Sequence, residues 1–128
     1  MKKIENYTRA VENLAEAAGT WQAHRADALY RDGLIRRFEI AAELAWKSLK
    51  DYMEDQGLRL SFSTPKYIMK EAYAAGMIDD ESAWLQILQA RNEMSHVYDE
   101  SAAAATAERI CAKYLPAFRA LAAFYQEA

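Results

Sequence analysis

The sequence predicts an all-α protein, a four- to five-helix antiparallel up-down bundle. Apolar residues recur at intervals of three and four through every long segment, which is the period of a helix. The chain has only four glycines and two prolines in 128 residues, too few for the closely spaced turns of a β-sandwich or barrel. Its length suits one domain, expected over residues 1–128. A hydrophobic fraction of 52 % and a charged fraction of 27 % are typical of a globular protein.

The first two helices are predicted from apolar stripes that fill the first half of the chain. One stripe covers residues 4–18, and Gly19-Thr20 is predicted to end that helix, because glycine favours a left-handed cap. The second helix is predicted from about residue 27 to residue 56, with Gly57 as its stop. It carries two neighbouring apolar stripes, so we expect it to lie in the centre of the bundle or at an interface.

Three more helices are predicted from capping signals. Hydroxyl residues followed by proline at residues 61–65 are a typical helix start. The acidic pair at residues 79–80 supplies a cap for the fourth helix, and Asp99 or Ser101 supplies one for the last. Pro116 lies inside the last helical pattern, where it lacks the N–H of a regular turn, so we expect it to kink or break that helix.

Charge and hydropathy exclude several classes of protein. The formal net charge is -3 and the sequence pI is about 5.4, which argues against a domain that coats nucleic acid through its overall field. One cysteine excludes an internal disulfide and a multi-cysteine metal site. The basic start has no apolar run behind it, and no stretch approaches 18 consecutive apolar residues. A cytoplasmic protein that binds neither membrane nor DNA is predicted.

The polar segment at residues 90–99 is the densest cluster of chemically versatile side chains. Arg91 continues the apolar stripe of Trp84 and Leu88, so on an uninterrupted helix it faces inward. Tyr98 lies seven residues later and returns to the same face, whereas His96 points about 140° away from Arg91. If Arg91 and His96 act together, either the helix breaks between them or the second group comes from another chain.

The residue types in this segment fit hydrolysis of RNA without a metal ion. The planar fork of Arg91 suits a phosphate, and histidine, the residue type at His96, can exchange a proton with a ribose hydroxyl or a leaving oxygen near neutral pH. The spacing lacks the paired histidines of a zinc site, and no cofactor is predicted. Because such hydrolysis uses both a base and an acid, a two-fold dimer would supply two copies of His96. The alternative is structural: Arg91 caps carbonyls, His96 lies in a bend, and Tyr98 packs.

Two stretches resemble one known family. Residues 91–98 read R-N-E-M-S-H-V-Y and resemble the R-x4-H-x-Y signature of HEPN-domain proteins. Residues 37–52 are similar to the R-F-E-x-x-x-E-L-A-W-K-x-L-K-x-Y pattern of the nucleotidyltransferase substrate-binding branch, whose members accompany a minimal nucleotidyltransferase (MNT). Residues 63–65 and 70–72 fit the same family. The resemblance implies a helical bundle related to the C-terminal domain of kanamycin nucleotidyltransferase.

The resemblance also implies a function and a set of site residues. In the toxin–antitoxin members the HEPN chain is a metal-independent endoribonuclease that acts as a homodimer, with both signatures in one cleft. Arg91 and His96 would then be catalytic, with Asn92 and Ser95 as supporting polar residues. The cognate MNT is the antitoxin, and it would transfer AMP to Tyr98. The added bulk and phosphate charge beside Arg91 would block an RNA phosphate.

Two other functions fit the same residues. The chain could be a non-catalytic subunit that presents a substrate to a two-protein nucleotidyltransferase, since a cleft with these side chains can also hold a nucleotide. It could also be a helical adaptor without a site, because aromatic residues at helical spacing usually form a core. An acidic chain with Glu93 inside the signature is expected to bind RNA modestly and in a salt-sensitive manner.

Overall fold

The computed structural model describes residues 1–94 and 99–128, which form a helical bundle without strands. The helices are α1 (Lys2–Ala23), α2 (Ala28–Asp55), α3 (Pro65–Ala74), α4 (Glu81–Met94), α5 (Glu100–Arg109) and α6 (Leu115–Glu127), and a π-helical segment (Ile110–Tyr114) joins α5 to α6. Because α5, the π-helical segment and α6 are continuous, the described residues contain five helices, which confirms the predicted fold class. None of the helices in these two ranges is both long and apolar enough to cross a membrane.

Helix α2 is the centre of the bundle and packs against α1, α3, α4 and α5. Asp27 caps its start by accepting a hydrogen bond from the Leu29 N–H at 2.9 Å, and Gly57 follows its end with φ of +90°. The Phe38 ring of α2 is fully buried and stands edge-on to the Phe118 ring of α6, with the two ring centroids 5.9 Å apart. The predicted central position of this helix is confirmed, and α2 can therefore hold side chains opposite several other helices.

The predicted end of the first helix was wrong. Helix α1 continues past Gly19-Thr20 to Ala23. The reason is Trp21, which lies one turn beyond Ala18 on the same stripe and is only 2 % exposed. Burying an indole of this size outweighs the preference of a single glycine for a turn, since glycine costs a helix only about 1 kcal/mol relative to alanine.

Pro116 does not break the last helix. Pro116 is the second residue of α6. The regular α-helical hydrogen bonding is interrupted one residue earlier, where the Leu115 N–H donates to the Ile110 carbonyl, five residues back along the chain. This wider π-helical turn places the irregularity where the proline nitrogen has no hydrogen to donate. The two acidic caps are confirmed: Asp80 accepts from the Ala83 N–H at 3.0 Å, and Asp99 accepts from the Ser101 N–H at 2.9 Å. The hydroxyl cap before Pro65 is confirmed in position only, because Thr64 is the N-cap of α3 but its side chain makes no capping hydrogen bond.

Candidate functional site

The last turn of α4 carries the two candidate residues that the structure describes, Arg91 and Asn92. Trp84 and Leu88 earlier on the same stripe are buried, and 25 % of the Arg91 side chain is exposed. The predicted inward direction of Arg91 is therefore confirmed, while its partial exposure leaves the guanidinium accessible from solvent. This placement suits a group that binds an anion at the edge of the core.

The guanidinium of Arg91 is held by Glu43 of α2. Nη1 of Arg91 forms an ion pair with Oε2 of Glu43, and Nη2 donates to Oδ1 of Asn92 at 3.1 Å. The other carboxylate oxygen of Glu43 pairs with Nζ of Lys47 at 3.2 Å, one helical turn further along α2. These contacts form a chain of charges from Lys47 through Glu43 to Arg91, and they fix the orientation of the arginine fork.

Sequence reasoning gave Glu43 no role in the site. It lies within the family-like stretch at residues 37–52, but 48 residues separate it from Arg91. A weak signal exists, because Glu43 stands four residues from both Glu39 and Lys47 and so belongs to a charged strip on one face of α2. The spacing of these charged residues does not predict which other helix of the bundle packs against that face of α2.

A groove of about 560 Å³ opens beside Arg91 between α2 and α4. Its lining combines charged and apolar side chains: Arg36, Glu39, Ile40, Glu43, Leu44, Arg91 and Asn92. Ile40 is 40 % exposed although it lies in the middle of the central helix. The groove thus places two arginines and two glutamates beside an apolar wall of Ile40 and Leu44.

A smaller hollow of about 170 Å³ continues the groove towards α1 and shares Ile40 and Leu44 with it. Arg9 and Arg37 stand on its rim, and Nη1 of Arg37 donates to the Asn13 carbonyl of α1 at 2.8 Å. Together the two hollows form one surface across α1, α2 and α4, with arginines along its length.

Three predicted site residues, Ser95, His96 and Tyr98, lie outside the described residues. On the two sides of these residues, α4 extends to Met94, and α5 begins at Glu100 with Asp99 as its N-cap. The other histidine, His24, is exposed at the end of α1, where its Nδ1 lies 3.0 Å from the Thr20 carbonyl. It is a helix-end residue and does not line the groove beside Arg91.

The helical bundle, together with the R-x4-H-x-Y signature that begins at Arg91 in the last turn of α4, defines the chain as a HEPN-type domain. The chain belongs to the family described as "Nucleotidyltransferase substrate binding protein like", whose model matches residues 2–127. The resemblance found in the two sequence stretches is therefore confirmed over nearly the whole chain.

Two relatives agree with this assignment. The chain is 32 % identical over 81 residues to a protein of Haemophilus influenzae named "Probable ribonuclease HepT", a match that covers 61 % of this chain and 56 % of that protein. It thus spans little more than half the length of this relative. A crystal structure of a Thermus thermophilus protein is similar over 94 % of this chain and 96 % of its own, with a TM-score of 0.72 and 28 % identity.

Proposed function

We propose that this chain is the toxin of a HEPN–MNT toxin–antitoxin pair, a metal-independent endoribonuclease that works as a homodimer. The observation that carries the proposal is the partly buried Arg91, oriented by Glu43 on the wall of an open groove. An arginine that only capped its own helix would need no carboxylate from another helix. The similarity to a probable ribonuclease supports the same activity.

The proposed reaction uses the neighbouring ribose as nucleophile. His96 of one protomer takes the proton of the 2′-hydroxyl, whose oxygen attacks phosphorus and displaces the 5′-oxygen. His96 of the partner protomer donates a proton to that leaving oxygen. Arg91 stabilises the negative charge that builds up on the phosphate oxygens. The products are a 2′,3′-cyclic phosphate and a free 5′-hydroxyl, so no water or metal ion enters the bond-breaking step.

The antitoxin in this proposal is an MNT that adenylylates Tyr98. An AMP group adds a phosphate with its negative charge, and in the signature Tyr98 follows Arg91 by seven residues. The modified tyrosine would then compete with the RNA phosphate for Arg91. Adenylylation therefore switches the ribonuclease off without unfolding it.

The family description favours a second candidate function, a non-catalytic subunit that binds the substrate of a nucleotidyltransferase. The apolar wall formed by Ile40 and Leu44 beside two arginines also suits a bound nucleotide. In that case the chain forms a stable complex with the nucleotidyltransferase and cuts no RNA at any concentration.

Growth after induction of the chain alone separates the two functions. We expect the wild-type chain to arrest growth, and Arg91→Ala or His96→Ala to relieve the arrest at equal expression. Intact mass should rise by the mass of AMP when the MNT is co-expressed, and Tyr98→Phe should abolish that rise. Normal growth with a folded, expressed wild-type chain would reject the toxin function and favour the binding subunit.

A further inference from the structure

The connection between α2 and α3 exposes a large aromatic ring that the ribonuclease reaction does not use. Phe62 is 64 % exposed. Its ring is nevertheless supported, because it stands edge-on to Tyr67 with centroids 5.3 Å apart, and the Tyr67 hydroxyl accepts a hydrogen bond from the Ser61 N–H at 3.1 Å. A single exposed apolar ring is ordinary on a protein surface, so any binding role of Phe62 depends on the charges and the second ring that lie near it in the chain.

The same segment is basic although the chain is acidic. Residues 56–70, which lie between Asp55 and Glu71, contain three cations, Arg59, Lys66 and Lys70, and no aspartate or glutamate, whereas the whole chain has a net charge of -3. All three side chains are exposed. Within the described residues none of the three forms an ion pair, in contrast to Lys3, Lys47 and Lys50, which pair with carboxylates. The cations of this segment are therefore available to an external anion.

Helical geometry aligns part of this charge with a second exposed ring. Lys66, Lys70 and Tyr73 are spaced by four and three residues on α3, so they lie on one face of that helix, about one turn apart. Tyr73 is 48 % exposed. We define the aromatic–basic surface as Arg59, Phe62, Lys66, Lys70 and Tyr73.

We propose that the aromatic–basic surface binds a single-stranded segment of RNA at a distance from the cleavage site. Flat exposed rings stack with bases of any sequence, and neighbouring cations neutralise the phosphates between them. In the part of the chain that the structure describes, the three cations carry no ion pair, and the alternation of rings and cations matches the alternation of bases and phosphates along a single strand. That the polymer is RNA rests on the proposed ribonuclease function, whereas the stacking and charge argument stands without it.

The position of this surface gives it a separate role from the groove at Arg91. Helix α2 runs from Glu43 in the groove to Asp55 just before the aromatic–basic surface, a rise of about 18 Å along its axis. A strand several nucleotides long is needed to contact both places. The surface would therefore recruit long single-stranded substrates and leave the chemistry at Arg91 unchanged.

Fluorescence anisotropy with a labelled oligouridylate tests the proposal directly. Its riboses carry 2′-O-methyl groups, so the proposed reaction cannot cut it. We expect Phe62→Ala to weaken binding about tenfold, as the loss of one stacked base predicts, and Phe62→Trp to retain it. Lys66→Ala combined with Lys70→Ala should reduce the slope of log K against log salt concentration by about 1.4, since two phosphate contacts are lost.

The matched control is Leu29→Ala, which removes an 81 % exposed apolar side chain at the start of α2. It should bind the oligouridylate as the wild type does, and circular dichroism should show that all variants are folded. The proposal is overturned if Phe62→Ala binds the oligouridylate within twofold of the wild-type affinity. It is also overturned if Phe62→Ala weakens binding of the nucleotidyltransferase and leaves binding of the oligouridylate unchanged. If the wild type cuts no RNA but Phe62→Ala still binds the oligouridylate more weakly than the wild type, only the proposed ribonuclease function is rejected.

Discussion

Glu43→Gln tests whether the orientation of Arg91 matters for the proposed ribonuclease reaction. The substitution keeps the size of the side chain and removes the negative charge that pairs with Arg91 Nη1. The pair is only partly buried, with 25 % of the Arg91 side chain and 36 % of the Glu43 side chain exposed. Its loss should therefore destabilise the fold by about 1 kcal/mol, the upper end of the range for a surface ion pair.

The effect on catalysis should be larger than the effect on stability. Displacing a catalytic group by about 1 Å can lower the reaction rate by a factor of roughly 100, so we expect kcat to fall about 10- to 100-fold. KM should not rise, because removing a carboxylate from the groove also removes a repulsion for the RNA phosphate. A lower kcat with an unchanged or lower KM is thus the signature of a positioning role for Glu43.

Steady-state cleavage of a fluorogenic RNA measures both constants. The matched control is Glu54→Gln, which breaks the Lys50–Glu54 ion pair of 2.9 Å on the same helix, away from the groove. It should have wild-type kcat and KM and a similarly small change in Tm. The reasoning is refuted if Glu43→Gln has the kcat of the wild type, or if KM rises while kcat stays constant.

Three further predictions concern stability and reactivity. Burial raises the pKa of Tyr7 well above its ordinary value, so the stability it contributes is complete below about pH 10 and is lost as the pH rises further. Tyr7→Phe, which loses the 2.7 Å hydrogen bond to the Phe118 carbonyl, should cost about 1 kcal/mol near neutrality and reduce the alkaline loss in urea titrations. Asp99→Ala should lower the free energy of unfolding by about 1 kcal/mol, because the Ser101 N–H loses its cap, and thermal denaturation measures this. Burial also raises the pKa of the half-buried Cys111 thiol, so its reaction with Ellman's reagent should be slow near neutrality and should accelerate with pH and on unfolding in urea.

Local signals in the sequence predicted the bundle because most helices begin and end where their own residues dictate. The caps at Asp27 and Asp99 and the positive φ at Gly57 are decided within a few residues of chain. The prediction failed at Gly19, because Trp21 gains more from burial than the turn gains from glycine. It was incomplete at Pro116, where a π-helical turn accommodates the proline within a continuous helix.

The site was predictable only in part. The inward direction of Arg91 follows from the stripe of Trp84 and Leu88, which is a local property of one helix. Its partner Glu43 does not follow, because tertiary packing of α2 against α4 decides which charged residue of α2 meets the arginine. Nor does periodicity reveal the aromatic–basic surface, since the support of Phe62 by Tyr67 exists only once the connection has folded onto α3.

Cleavage of RNA by the purified chain in the presence of EDTA tests the central claim most directly. We predict that the wild type cuts RNA and leaves 2′,3′-cyclic phosphate ends, and that Arg91→Ala and His96→Ala each abolish the activity while retaining the wild-type circular dichroism spectrum. Cleavage by either variant at the wild-type rate, or a wild type that cuts only when a divalent cation is added, would contradict the proposed mechanism.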